Sequence, residues 1–140
     1  MDASGRRSLE RENECADVLA DRGYHVHQNP SRREVAEARA QTGDRGNPGK
    51  DPDYLVEGHV FDCYAPGETK SVRGVWSGVR DKVEDGQTER VVLNLGDWRG
   101  DLDALRKQFD DWPVDNLKEL VALTPTGKLV KIVAHPDAKG

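Results

Sequence analysis

Asp53 and Asp62 stand symmetrically about Glu57-Gly58, and Tyr54-Leu55-Val56 and His59-Val60-Phe61 lie between. A two-residue turn at Glu57-Gly58 makes this stretch a hairpin. Counting outward from the turn pairs Val56 with His59, Leu55 with Val60, Tyr54 with Phe61 and Asp53 with Asp62. Directly opposed residues of an antiparallel pair point to one sheet face, with Cβ atoms roughly 4.5–5.5 Å apart. Two carboxylates in that position repel, so they call for either full solvation or a cation between them. Strand parity groups Asp53, Leu55, Val60 and Asp62 on one half-apolar face. Acids are depleted in strands, which gives two on one rung some weight as a metal site. The bland alternative is a turn residue after Pro52 and a solvated strand end.

A third acid comes from the first helical pattern. Counting 100° per residue from Leu9, Ala16 falls at about −20°, Leu19 at about −80° and Ala20 at about +20°. Glu12 falls at about −60°, inside that apolar stripe, and Glu14 at about +140°, outside it. A glutamate on a buried face needs a partner, a cation or a proton. In the first turn of a helix it could instead stay wet and favour the dipole. Lys82 lies at the margin of the apolar stripe formed by Val72, Val75, Trp76, Val79 and Val83. There it can reach over the sheet edge towards the acids, or snorkel to solvent. Lys70, in the loop before that helix, is a second candidate. Oxygen ligands with a lysine suit a hard divalent cation, Mg²⁺ or Mn²⁺. Such a site performs metal-assisted attack on a phosphodiester. Zn²⁺ is less suited: His25 and His27 share a strand face, but no Cys or His at matching spacing completes a site.

These residues must be positioned by elements that the pattern outlines. Ser8 to Arg22 reads as a helix capped by Ser8 and stopped by Gly23. Residues 1–7 are expected to be a disordered or vector-derived start. Tyr24 to Gln28 reads as a short strand broken by Asn29-Pro30. Ser31 to Gln41 reads as a solvated helix with Ser31 and Glu34 in a capping box, and the Gly- and Pro-rich stretch Thr42 to Pro52 as a mobile loop. Helical spacing continues over Val72 to Glu84 and over Asp101 to Asp111. Arg90 to Leu95 is nearly all apolar, as in a central strand covered on both faces. Leu117 to Leu123 and Lys128 to Val133 read as strands joined by Thr124-Pro125-Thr126-Gly127. The 140 residues fit one α/β domain over 8–140, with a mixed central sheet and helices on both faces.

Composition narrows the function. The chain is 35% apolar and 34% charged, with a net charge of −5. That balance argues against broad electrostatic binding of nucleic acid, although acids gathered at a metal site can mask a basic face elsewhere. No apolar run approaches the roughly 20 residues of a membrane span, and no signal-peptide pattern opens the chain. Cys15 and Cys63 lack metal spacing and are expected to be free thiols, with a disulfide between them left open because the sequence does not decide it. Trp76, Trp98 and Trp112 could stack on bases, but Trp76 lies on an apolar stripe.

The ordered segments Arg11-Glu12-Asn13-Glu14, Gly23-Tyr24, Gln28-Asn29-Pro30, Pro52-Asp53-Tyr54, Glu57-Gly58, Asp62-Cys63-Tyr64, Lys82-Val83, Gly86-Gln87 and Arg90-Val91-Val92-Leu93-Asn94-Leu95 resemble the C-terminal tRNA nuclease toxin domains of CdiA-type contact-dependent growth-inhibition proteins. The resemblance runs from about Ser8 to Val133. It implies a fold similar to the PD-(D/E)xK nuclease group, related to type IIS restriction endonucleases. It also implies that Asp53, Asp62 and a helix-1 glutamate bind the metal and that a lysine completes the catalytic set. The chain departs from the superfamily pattern at Tyr64, where a lysine is usual two residues after the second acid. Lys82 therefore takes that role, with Lys70 left open, and Glu12 is preferred over Glu14 by the wheel. The segment from Ser31 to Gly49 looks like an insertion. The resemblance implies a monomeric toxin domain, secreted or displayed at the cell surface, that cuts tRNA in the cytoplasm of a target cell. It further implies a cognate immunity protein and allows for a host activating factor. A DNA nuclease of the same fold, and a non-catalytic binding module that keeps the fold, remain as alternatives.

Overall fold

A computed structural model describes residues 3–133. Four helices and six strands follow one another: α1 (Ala3–Asp21), β1 (Val26–Gln28), α2 (Arg32–Thr42), β2 (Tyr54–Val56), β3 (His59–Tyr64), α3 (Val72–Glu84), β4 (Arg90–Asn94), α4 (Leu102–Asp111), β5 (Glu119–Leu123) and β6 (Leu129–Val133). All six strands join one sheet in chain order. The sheet is mixed: β3, β4 and β5 run parallel, and the outer pairings are antiparallel. Among the described residues no helix is long and apolar enough to cross a membrane.

The hairpin register is the one the turn dictates. Tyr54 pairs with Phe61, Leu55 with Val60 and Val56 with His59. Glu57 and Gly58 both take positive φ, 50° and 79°, as a two-residue turn matched to strand twist requires. Parity then divides the helices. Val91, Leu93, Leu120 and Ala122 pack under α3 and α4 through Val75, Val79, Leu105 and Phe109. The opposite side chains, Tyr54, Val56, Phe61 and Val92, pack under α1 through Cys15, Ala16 and Leu19. β4 is buried along its whole length, as a parallel strand covered on both faces must be.

Three expectations need correction. α1 begins at Ala3, so Ser8 lies inside the helix rather than capping it. The start is ordered there because Arg7 donates to the Ala65 and Pro66 carbonyls and to Asp97. Residues 3–7 of the expected disordered start are therefore helical; residues 1–2, like 134–140, lie outside the described residues. β1 begins at Val26 rather than Tyr24, because Tyr24 is still folded back on the helix end through its N–H to the Leu19 carbonyl. The stretch 42–52 is tied down rather than loose: the Asp44 carboxylate is buried and bound by Arg90, Lys118 and His59, and Asn47 N–H donates to the Gly86 carbonyl. α2 keeps the expected capping box of Ser31 and Glu34. It buries more than Val35, since Ala38 joins Val35 against Val60 and Leu55.

Candidate functional site

Asp53 ends the connection into β2, and Asp62 sits in the middle of β3, wholly buried. Each carboxylate braces the other's backbone. Asp53 N–H donates to Asp62 Oδ1 at 3.0 Å, and Cys63 N–H donates to Asp53 Oδ2 at 2.8 Å. Beyond Tyr54 the hairpin thus continues through side chains, and one oxygen of each acid remains for other work. Asp62 Oδ2 takes the Lys82 ammonium at 2.6 Å. Lys82 lies in the last turn of α3, a position that suits a cation against the helix dipole.

Glu12 approaches from the other sheet face. Two sheet side chains fix the helix that carries it. Tyr54, fully buried, donates its hydroxyl to the Glu12 carbonyl, and Asn94 Nδ2 donates to the Arg11 carbonyl at 3.0 Å. The Glu12 side chain shares a hydrogen bond with Asp53. Glu14 is instead paired with Arg11. Lys70 is exposed, and its backbone carbonyl accepts from the Trp98 indole. The structure therefore brings Glu12, Asp53, Asp62 and Lys82 to one cleft of about 340 Å³, and leaves Glu14 and Lys70 out of it. Ser8, Tyr64 and Gln87 complete its wall. Sequence reasoning placed none of these three at the site, nor Tyr54 and Asn94 as the supports of α1. A fully apolar strand interrupted by an asparagine, as at Asn94, is the signal that could have found one support.

The cleft is electrostatically loaded. Burial, and then the hydrogen bond and charge of Asp62, push the Asp53 carboxyl up to about 8, against the pull of the Cys63 amide. Burial and the Asp62 charge raise Glu12 as well, although its bond with Asp53 and the charge of Lys82 hold it back. Burial works against the Lys82 ammonium, but the Asp62 charge and hydrogen bond, with Asp53 behind, outweigh it and raise its pKa. Three carboxylates and one ammonium carry a formal −2, which a divalent cation balances. The free oxygens are hard donors of the kind Mg²⁺ and Mn²⁺ prefer. Among the described residues no three acid, histidine or cysteine side chains are already arranged as a metal cage. The Lys82 ammonium offsets part of that charge through its contact with Asp62. His25 and His27 do not meet a zinc partner set either; His27 Nε2 faces Glu34 at 2.9 Å.

Comparison with known proteins adds to this geometry. The family model of the contact-dependent growth inhibition CdiA C-terminal domain matches residues 50–129. The chain is 36% identical over 126 residues to tRNA nuclease CdiA-2 of Burkholderia pseudomallei (strain 1026b). That alignment covers 90% of this chain and 4% of the relative, so the chain spans a small part of that relative's length. Among solved structures, a chain of the CdiA-CT/CdiI toxin and immunity complex from Burkholderia pseudomallei superposes with a TM-score of 0.77. Sequence identity there is 32%, and 94% of this chain and 88% of that chain are covered.

Proposed function

The chain belongs to the contact-dependent growth inhibition CdiA C-terminal domain family, and on that premise we propose that it is a metal-dependent endoribonuclease that cuts tRNA as a toxin. The observation that carries the reading is the junction of Asp53, Asp62 and Lys82, with Glu12 closing it from the opposite helix. Asp53, Asp62 and Glu12 would hold Mg²⁺ or Mn²⁺. When bound, that cation polarises the phosphodiester and lowers the pKa of a water ligand. Lys82, reaching from α3 to Asp62, would orient the attacking water or stabilise the negative charge that builds on the phosphate oxygens. The peptide N–H groups of Asp53 and Cys63 keep the two aspartates from rotating away when the Lys82 contact is shared with substrate. The named relative is a tRNA nuclease, which supports tRNA over DNA as substrate here. The structural neighbour is held in a complex with an immunity protein, which supports a cognate immunity partner for this chain in the producing cell. Delivery into a competing cell and action in its cytoplasm complete the reading.

The deciding experiment incubates purified protein with total tRNA, and in parallel with supercoiled plasmid, in EDTA, Mg²⁺ or Mn²⁺. Cleavage of tRNA that requires metal, and that Asp62→Asn abolishes with the fold intact, is the expected result. Folded protein that leaves tRNA whole with both metals refutes the proposal. Nicking of plasmid alone moves the substrate to DNA.

A further inference from the structure

Two thiols sit directly behind the acid cluster. Cys15 and Cys63 are free, and their Sγ atoms lie 4.0 Å apart across the interface of α1 and β3. Cys15 is buried beside Tyr54 in the α1 core, while Cys63 reaches the wall of the cleft. They are the chain's only two cysteines, so neither has a competing partner. A disulfide needs the sulfurs at about 2.05 Å, a closure of about 2 Å between a helix and a strand already in contact. Each thiol is also wired to the cleft. Cys15 lies three residues beyond Glu12 on α1, and Cys63 follows Asp62 and donates its amide to Asp53.

We infer that Cys15 and Cys63 form a reversible disulfide that switches the cleft off, so that the dithiol form cuts and the disulfide form does not. The oxidant is a low-molecular-weight disulfide. The Cys63 sulfur, in the less buried residue of the pair, attacks one of its sulfurs and releases one thiol, leaving a mixed disulfide on Cys63. The Cys15 sulfur then attacks Cys63 Sγ and releases the second thiol. Two electrons pass to the oxidant, and the two protons leave on the two released thiols. Closing the bond draws Cys63 towards α1. That shifts the amide that holds Asp53 and the peptide that follows Asp62, while the pull on Cys15 moves Glu12. A displacement of about 1 Å at reacting groups can cost about 100-fold in rate. This inference rests on the proposed nuclease and deepens it. Disulfides persist outside cells and are reduced in the cytosol, so a delivered toxin would travel in the disulfide form and start to cut once reduced.

The test equilibrates the whole chain in oxidised or reduced glutathione, blocks free thiols, and measures intact mass and metal-dependent tRNA cleavage. The expected oxidised species has lost two hydrogens, carries no glutathione, and cuts about 100-fold more slowly, with full recovery in dithiothreitol. Cys15→Ala, or Cys15→Ser if the first is poorly folded, should form no internal disulfide and retain one glutathione on Cys63 in the oxidised buffer, and the double variant Cys15→Ala/Cys63→Ala should cut equally in both buffers. Retention of both thiols in oxidised glutathione, or full cleavage by the disulfide form, overturns the inference. A reduced protein that is inert on tRNA refutes the nuclease reading instead. In that event carbon-13 signals of the Asp53 and Asp62 carboxyls must still move on oxidation, and unmoved signals overturn the switch on their own.

Discussion

Replacing Asp53 by asparagine should stabilise the metal-free protein while destroying its activity. In the fold, burial and the neighbouring acids lift the Asp53 carboxyl to about 8, against an ordinary value of 3.8. The sign follows from linkage. A carboxyl with a raised folded pKa contributes no penalty below about 3.8, where it is protonated in both states. Above that it costs stability with each pH unit until about 8, because unfolding releases its proton. At pH 7 the interval from 3.8 is about 3.2 units, and at about 1.4 kcal/mol per unit the penalty is about 4 kcal/mol. Glu12 is raised too and shares the crowding, so removing one acid relieves part of it, about 3 kcal/mol. The asparagine carbonyl can still accept from Cys63 N–H, which preserves the hairpin bond. Urea unfolding in EDTA, followed by tryptophan fluorescence at several pH values, measures the difference. Asp53→Asn should exceed wild type by about 3 kcal/mol at pH 7.5 and match it near pH 4. Added Mn²⁺ should stabilise wild type and not the variant. A variant less stable than wild type at pH 7.5, or a difference that does not change with pH, refutes the reasoning.

Lys82→Met leaves the buried Asp62 carboxylate without its cation and should cost about 3 kcal/mol in EDTA, the low end for a broken buried pair because Lys82 is partly exposed. It should also abolish tRNA cleavage. Glu12→Gln should cut cleavage strongly and Glu14→Gln only weakly, since Glu14 faces Arg11 and not the cleft; equal losses in a cleavage time course would contradict the assignment. Gly78→Ala places a Cβ about 2.5 Å from the Tyr64 ring. Overpacking of this kind costs about 1–3 kcal/mol and should displace the ring at the cleft wall, lowering activity more than the mild helix-propensity gain would suggest; thermal melts and cleavage assays together read both effects. Arg90→Met removes the two guanidinium bonds to buried Asp44. Although burial alone would raise Asp44, its bonds to Arg90, His59 and Lys118 depress it overall. Its contribution is therefore present above about pH 3.8 and lost on acidification. The variant should lose about 3 kcal/mol at pH 7 and show a flatter acid limb in denaturant titrations.

Local rules made much of the fold legible. A two-residue turn has one strand register, so Glu57-Gly58 was enough to oppose Asp53 and Asp62. The valine spacing outlined α3 at its observed bounds, and the apolar run Arg90 to Leu95 marked the doubly covered strand. Errors arose where long-range contacts compete with local signals. Ser8 resembles a cap, but Arg7 finds the loop carbonyls at 65 and 66 and extends the helix to Ala3. The segment 42–52 resembles a free loop, but Asp44 meets Arg90 and Lys118, partners 46 and 74 residues away.

By itself the sequence determined the composition of the candidate site: two acids on one rung, a glutamate in an apolar helical stripe and a lysine at the margin of another. Period-2 and period-3.6 geometry act over a few residues, so side-chain direction within each element is written locally. Only the tertiary structure decided which of these side chains meet. Asp62 and Lys82 come together because the β3–α3–β4 crossover lays α3 back over the strand it leaves. Glu12 joins from the other face because Tyr54 and Asn94 hold α1 there. The load on Asp53 has the same origin, since burial and neighbouring charge are properties of the packed arrangement and of no single segment.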